Sequence, residues 1–243
     1  MIKRNYYKVV RVLPDPSSYF YIKNETMSNS QILFRDEWLP TVNLEYSIDK
    51  VNWNVLNNNT YRFPADSYMY FRNTSGTFCT SEYGSVFYLY DNFSIGGDIR
   101  TLFNYTDVES VTKIPDYGFS EPFVFFNDCK CIDISNLRFR GITEIGNYGL
   151  RQAFVSYNGT KGVDLRGVTT IDNNALEFMY SNCSNLTEVY APNVSEWDRS
   201  KSRGWLSGVA STGVVYKPST LDISTDDSSG IPYNWTTQDY PIE

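Results

Sequence analysis

Histidine is missing from all 243 residues, and that absence decides much of the chemistry open to this chain. Without imidazole there is no Ser-His-Asp or Cys-His nucleophile system and no histidine-based metal site. The four cysteines, Cys79, Cys129, Cys131 and Cys183, are spread too thinly for a disulfide framework. The CKC pair Cys129 and Cys131, with Cys183, suggests a thiolate metal site. Tetrahedral zinc takes four ligands, however, and the fourth is missing. The carboxylates Asp36 with Glu37 and Asp226 with Asp227 stand as adjacent pairs. Neighbours in extended chain point to opposite faces, so neither is a ready acid–base couple. The expectation is no catalytic residue, no metal and no cofactor; a glycosidase would need distant carboxylates brought together by folding. Sequons at Asn158 and Asn185 are expected by chance in a chain this rich in Asn, Ser and Thr.

Such groups would have to be positioned mainly by strands. Hydrophobic residues make up 41% of the chain and charged ones only 20%, with 20 Tyr and 15 Phe. Aromatic and β-branched side chains suit a pleated surface, while the abundant Asn suits turns. The net charge of −7 repels phosphate backbones and anionic lipid, so nucleic acid and membrane surfaces are not expected partners. No apolar run approaches the roughly 20 residues of a spanning helix. The opening MIKRNYYKVVRVLPDP lacks the apolar core of a signal peptide, so a chain made in the cytosol and exported only by some other route, such as inside a particle, is expected.

Two textures divide most of the chain. Residues 1–91 show short alternating segments such as YFYIKNE, SQILFRDE, NLEYSI and SYMYFRN, broken by turn residues. This predicts an antiparallel β-sandwich, with Trp53 in its core. Residues 92–204 repeat themselves. VTKIPDYGFSEPF, ITEIGNYGLRQAF and VTTIDNNALEFMY align Ile114, Ile145 and Ile171, then Gly118, Gly149 and Ala175, then Phe119, Leu150 and Leu176, and then Phe123, Phe154 and Tyr180. The register continues through Phe126, Tyr157 and Cys183 to Ile132, Val163 and Val189, then Ile134, Leu165 and Ala191. The isoleucines stand 31 and then 26 residues apart, the difference being a five-residue insertion near SNLRF. A period near 26 residues predicts a short solenoid of the leucine-rich-repeat kind, whose units bury their apolar faces only by stacking.

Within each unit the strands CIDIS, GVDLR and EVYAP are expected to point the aliphatic columns inward. Gly141, Gly167 and Asn193 share a position that suits positive φ. The small residues Gly118, Gly149 and Ala175 suit tight helix-to-strand packing instead. Residues 205–243, punctuated by Pro218, Pro232 and Pro241, read as an irregular C-terminal cap. The fold class is thus mainly β: an N-terminal antiparallel β-sandwich, a short leucine-rich-repeat solenoid and an irregular cap.

VTTIDNNAL and SNCSNLTEVYAPNV resemble the BspA-like leucine-rich repeat family, carried by Val168, Thr169, Ile171, Ala175, Leu176, Cys183, Leu186, Val189 and Pro192. The resemblance covers roughly 104–194 and departs in the earlier copies, where aromatics replace the family's cysteine. The layout is similar to virion proteins of crAss-like tailed bacteriophages: LEYSIDKVNWNVL and YRFPADSYMYFRN come first, repeats come next, and GIPYNWT closes the chain. That implies a structural or receptor-facing virion component in contact with other virion proteins or a host cell-surface protein or glycan, and allows a homo-oligomer. The alternative is a bacterial cell-surface adhesion protein.

The outward strand columns, Cys131/Gly162/Glu188, Asp133/Asp164/Tyr190 and Ser135/Arg166/Pro192, are the expected contact surface, because solenoids commonly bind on the exposed strand face. The plainer reading is an ordinary solvated face. Asp133, Asp164, Tyr190 and Arg166 are therefore candidate contact residues. Trp197 and Trp205 join them as aromatics able to stack on sugars or anchor a protein; their plainer reading is a plug for the open end of the stack.

Overall fold

A computed structural model describes residues 19–34, 44–57, 60–74, 78, 86–125, 129–226 and 228–241. The fold is mainly β, in four sheets. Among the described residues there is no α-helix, only three short 3-10 turns. The first eight strands are β1 (Phe20–Asn24), β2 (Ser30–Phe34), β3 (Leu44–Ser47), β4 (Asn54–Val55), β5 (Thr60–Phe63), β6 (Tyr68–Asn73), β7 (Phe87–Leu89) and β8 (Phe93–Asp98). The next three are β9 (Lys113–Ile114), β10 (Phe123–Phe125) and β11 (Cys131–Arg138). One sheet runs in the order β11-β8-β1-β6-β3-β4 and a second in the order β10-β7-β2-β5. Pairing in both is antiparallel except where the first repeat joins them: β11 lies parallel to β8 and β10 parallel to β7. Strands on both sides of Asp91 thus share the same two sheets.

Alternation places Phe20 and Ile22 of β1 and Met69 and Phe71 of β6 on a buried face. Their rings meet those of the second sheet: Phe71 lies 5.0 Å from Phe87 and 5.7 Å from Phe34, ring centre to ring centre. Fully burying each such ring contributes about 1.5–3 kcal/mol. Gly97 is held at φ +83, where a Cβ would fall 1.8 Å from the Tyr19 carbonyl oxygen, so only glycine fits. Trp53 departs from expectation. It is half-buried beside edge strand β4, with the Arg72 guanidinium 4.0 Å over its ring and Tyr105 on the same cation at 4.1 Å. A cation–π cover, rather than the apolar core, shields it.

Past residue 111 the pairing is between consecutive repeats. β9, β12 (Glu144–Ile145) and β14 (Thr170–Ile171) form a parallel ladder that sets Ile114, Ile145 and Ile171 side by side, all three buried. After each isoleucine comes a ribbon of overlapping turns where helix-to-strand packing was expected. The amides of Gly149, Arg151 and Ala153 bond three residues back. The amides between them reach the next repeat, from Leu150 to Ala175 (2.9 Å), Gln152 to Glu177 (2.9 Å) and Phe154 to Met179 (2.9 Å). This alternation turns one residue in four to positive φ: Tyr117 and Glu121, then Tyr148, Gln152 and Ser156, then Asn174, Phe178 and Asn182, and finally Gly204 and Gly208. The backbone donors of the ribbon thereby find acceptors without a helix. Gly118 and Gly149 keep their size limit for a different neighbour: a Cβ would meet the isoleucine of the same repeat at 2.9 Å and 2.6 Å. Of the column expected at positive φ, only Gly141 has it (φ 78).

The fourth sheet is wholly parallel: β13 (Lys161–Asp164), β15 (Glu188–Tyr190), β16 (Gly213–Lys217) and β17 (Trp235–Asp239). Val163, Val189 and Val215 point inward along it. Ile132 does not join them as expected. β11 carries register shifts around Asp133, so Cys131 turns inward while Ile132 is only half-buried. The shifts lie in the pairing of β11 with β8; Tyr157 is buried next to this break, and its hydroxyl donates to the Lys161 carbonyl (3.0 Å). The tail 205–243, expected to be irregular, carries β16 and β17 in register, with its prolines outside those strands. Ion pairs also cross repeats: Arg151 bonds Glu121 and Glu177, each at 3.0 Å, and Lys113 bonds Asp172 at 3.3 Å.

Candidate functional site

The outward face of the fourth sheet gathers side chains from successive repeats. The row Asp164, Tyr190, Tyr216 and Gln238 is fixed by ladder register. Tyr190 and Tyr216 stack with centroids 4.8 Å apart and planes 18° from parallel, the spacing of paired strands. The rings therefore stand on edge and present rims and hydroxyls outward. Arg166 forks onto Asp164 (Nη2 to Oδ2, 2.8 Å), and its guanidinium lies 5.2 Å from the Tyr190 ring centre. Lys161 bonds Glu188 at 2.7 Å and lies 5.0 Å over the same ring.

These neighbours set the ionisation of the row. Burial pushes the Asp164 carboxyl up, but the Arg166 hydrogen bonds outweigh it, so the group sits below its ordinary value. The Glu188 hydrogen bond holds the Lys161 ammonium above its ordinary value. Burial, with Glu188 adding to it, raises the Tyr190 phenol. Asp164 and Glu188 are thus both paired with cations. The arrangement suits recognition by hydroxyl rims and forked charges and offers no free general base.

Arg166, Asp164 and Tyr190 are brought together as expected. Asp133 is not part of the row: it lies on β11, in the sheet of β8, half-buried and accepting from the Ser135 amide (2.8 Å) and hydroxyl (2.9 Å). Three members of the expected outward columns, Cys131, Gly162 and Pro192, are buried. At Gly162 a Cβ would meet the Tyr180 hydroxyl at 2.7 Å; that hydroxyl accepts from the Val163 amide (2.9 Å) and bulges β13.

Trp205 is not a surface residue. It is 1% exposed, and its indole donates to the Gly230 carbonyl at 2.7 Å. Trp197 is half-buried 4.8 Å from it and donates to Ser229 (3.0 Å). Both indoles find acceptors in the tail segment at 229–230 and tie it to the repeat before it. Tyr216 and Gln238 were missed because the tail read as a cap. The signal was present: VVY at 214–216 repeats EVY at 188–190 after the same 26-residue step.

Burial pushes the Cys183 thiol up to about 12 and Cys131 well above its ordinary value, and Cys183 donates to the Phe154 carbonyl (3.0 Å). Thiolates are disfavoured there. Among the described residues no three metal-ligating side chains cluster. Asp226 pairs with Arg199 at 2.8 Å; Asp36, Glu37, Cys79, Phe126 and Asp227 lie outside the described residues. No helix of the described residues is long and apolar enough to cross a membrane. Comparison with family models, with curated proteins and with solved structures returned no match to this chain.

Proposed function

We propose that this chain is a non-enzymatic bacteriophage virion structural protein, a capsid- or tail-associated appendage working through protein–protein or host-surface contacts. In this reading residues 1–91 form the body of a β-sandwich and 92–204 a BspA-like leucine-rich repeat solenoid, whose outer sheet the segment 205–243 extends by β16 and β17 before ending it. The observation that carries it is the outward row Asp164, Tyr190, Tyr216 and Gln238, four successive strands contributing to one flat face. The paired carboxylates around that row favour contact over catalysis. Many copies on a particle would convert weak single contacts into avidity.

Mass spectrometry of purified particles tests this directly. The chain should be present at structural stoichiometry, and its absence overturns the reading. A cell-surface adhesion protein is the second reading, favoured by the same tyrosine row. It predicts surface labelling of the producing bacterium with none of the chain in particles.

A further inference from the structure

The five-residue insertion near SNLRF breaks the repeat, and it is where a cleft opens. Because of it β11 runs eight residues, staying paired with β8 as far as Arg138 and Asp98, whereas β13 stops at Asp164. The mismatch leaves a cleft of about 570 Å3, lined by Ser135, Arg138, Arg140 and Gly141 in and beside the insertion and by Asp164, Arg166 and Gly167 of the next repeat. Insertions in repeat proteins fall on one face, often the binding face.

Three arginines and one carboxylate line this cleft in a chain of net charge −7. Arg166 is held by Asp164 (2.8 Å). The side chains of Arg138 and Arg140 make no hydrogen bond or ion pair among the described residues. Glu109 lies toward Arg140 but is bonded to Arg100 at 3.1 Å. The floor is firm. Arg100 is buried and paired with Asp98 at 2.8 Å, directly beneath Gly141, where a Cβ would come 2.8 Å from its Nη1. Gly167 leaves the opposite wall open, its Cβ position meeting nothing closer than the Ile142 carbonyl at 3.4 Å.

We propose that this cleft binds a carboxylate-bearing sugar, a uronic or sialic acid residue. Arg138 and Arg140 supply the forked donors that match a carboxylate. Asp164 accepts from sugar hydroxyls, and the Ser135 hydroxyl, whose own proton goes to Asp133 (2.9 Å), can accept from one as well. Asp164 also repels a second anion, which favours one carboxylate on a hydroxyl-rich scaffold over an acidic peptide or a polyphosphate. The volume falls in the range of small-ligand sites. This assignment goes beyond the virion reading and holds or fails without it.

The test is amide NMR titration of the full chain with glucuronate, N-acetylneuraminate, glucose and inorganic phosphate. The two acidic sugars are expected to shift amides of 135–141 and 164–167, with glucose at least about tenfold weaker. Arg138→Ala/Arg140→Ala should weaken binding by about tenfold or more. Gly167→Leu, which fills the cleft and leaves every charge in place, should weaken it as well. Equal binding of glucose, phosphate binding as tightly as glucuronate, or unchanged affinity in the arginine variant whose spectrum is otherwise folded would each overturn the proposal.

Discussion

Residues 19–98 and residues 111–239 are both β-rich but are held together differently. In the first region phenylalanines from distant strands converge: Phe34, Phe71 and Phe87 touch one another across two sheets. In the second, each repeat touches the one before and the one after, through like aliphatics and amide bonds that step from repeat to repeat. A convergent aromatic core fails as a whole when one ring is lost. A nearest-neighbour stack fails locally, and its loss spreads by one repeat at a time.

Phe87→Ala should break the first region outright, costing about 3–5 kcal/mol for a buried ring, read as a shift of the urea midpoint together with deprotection of amides throughout 19–98. Leu176→Ala should cost about 2–5 kcal/mol, with hydrogen exchange accelerated first in its own repeat and in the flanking ones. Equal deprotection of 19–98 in that variant would erase the contrast. Arg151→Met removes the cation between Glu121 and Glu177, both at 3.0 Å. Arg151 and Glu177 are buried while Glu121 keeps some contact with solvent, so the cost should be about 3 kcal/mol, at the low end for a broken buried pair.

Alkaline titration sharpens the contrast further. Burial raises Cys183 from 9.0 to about 12 in the repeats, and Tyr21 and Tyr70 from 10.0 to about 12 in the first region. A raised folded-state pKa contributes stability that is complete below the unfolded value and is lost as pH climbs toward the folded one. The repeats should therefore begin to loosen above pH 9 and the first region only above pH 10, followed by amide exchange in each. The smallest effect is expected at Asn182, at φ 61. Asn182→Val should cost about 1–2 kcal/mol in a thermal melt, while Asn182→Gly should stay within about 0.5 kcal/mol.

The inward columns were legible because apolar residues recur at fixed spacing: Ile114, Ile145 and Ile171 pair where the alignment puts them. The turn ribbon was not. Its positive-φ positions are occupied by Tyr117, Tyr148 and Phe178, residues with no intrinsic preference for that conformation, held there by hydrogen bonds to the next repeat. Glycines read as markers of positive φ therefore pointed to a column in which only Gly141 has it, and away from the ribbon. Ile132 failed for a similar reason, since the register of β11 shifts where it pairs with β8, a partner strand that the repeat alignment does not contain. Of the candidate site, Asp164, Arg166 and Tyr190 followed from alternation along a strand. Trp205 was misplaced because its acceptor, Gly230, lies 25 residues onward.

Through-hydrogen-bond scalar couplings in the deuterated full chain test the stacked-repeat account most directly. Couplings from the amides of Phe119, Leu150 and Leu176 to the carbonyls of Gly149, Ala175 and Lys201 should be present. Couplings from those amides to carbonyls four residues earlier in their own segment would mean helices in place of the ribbon and would contradict it.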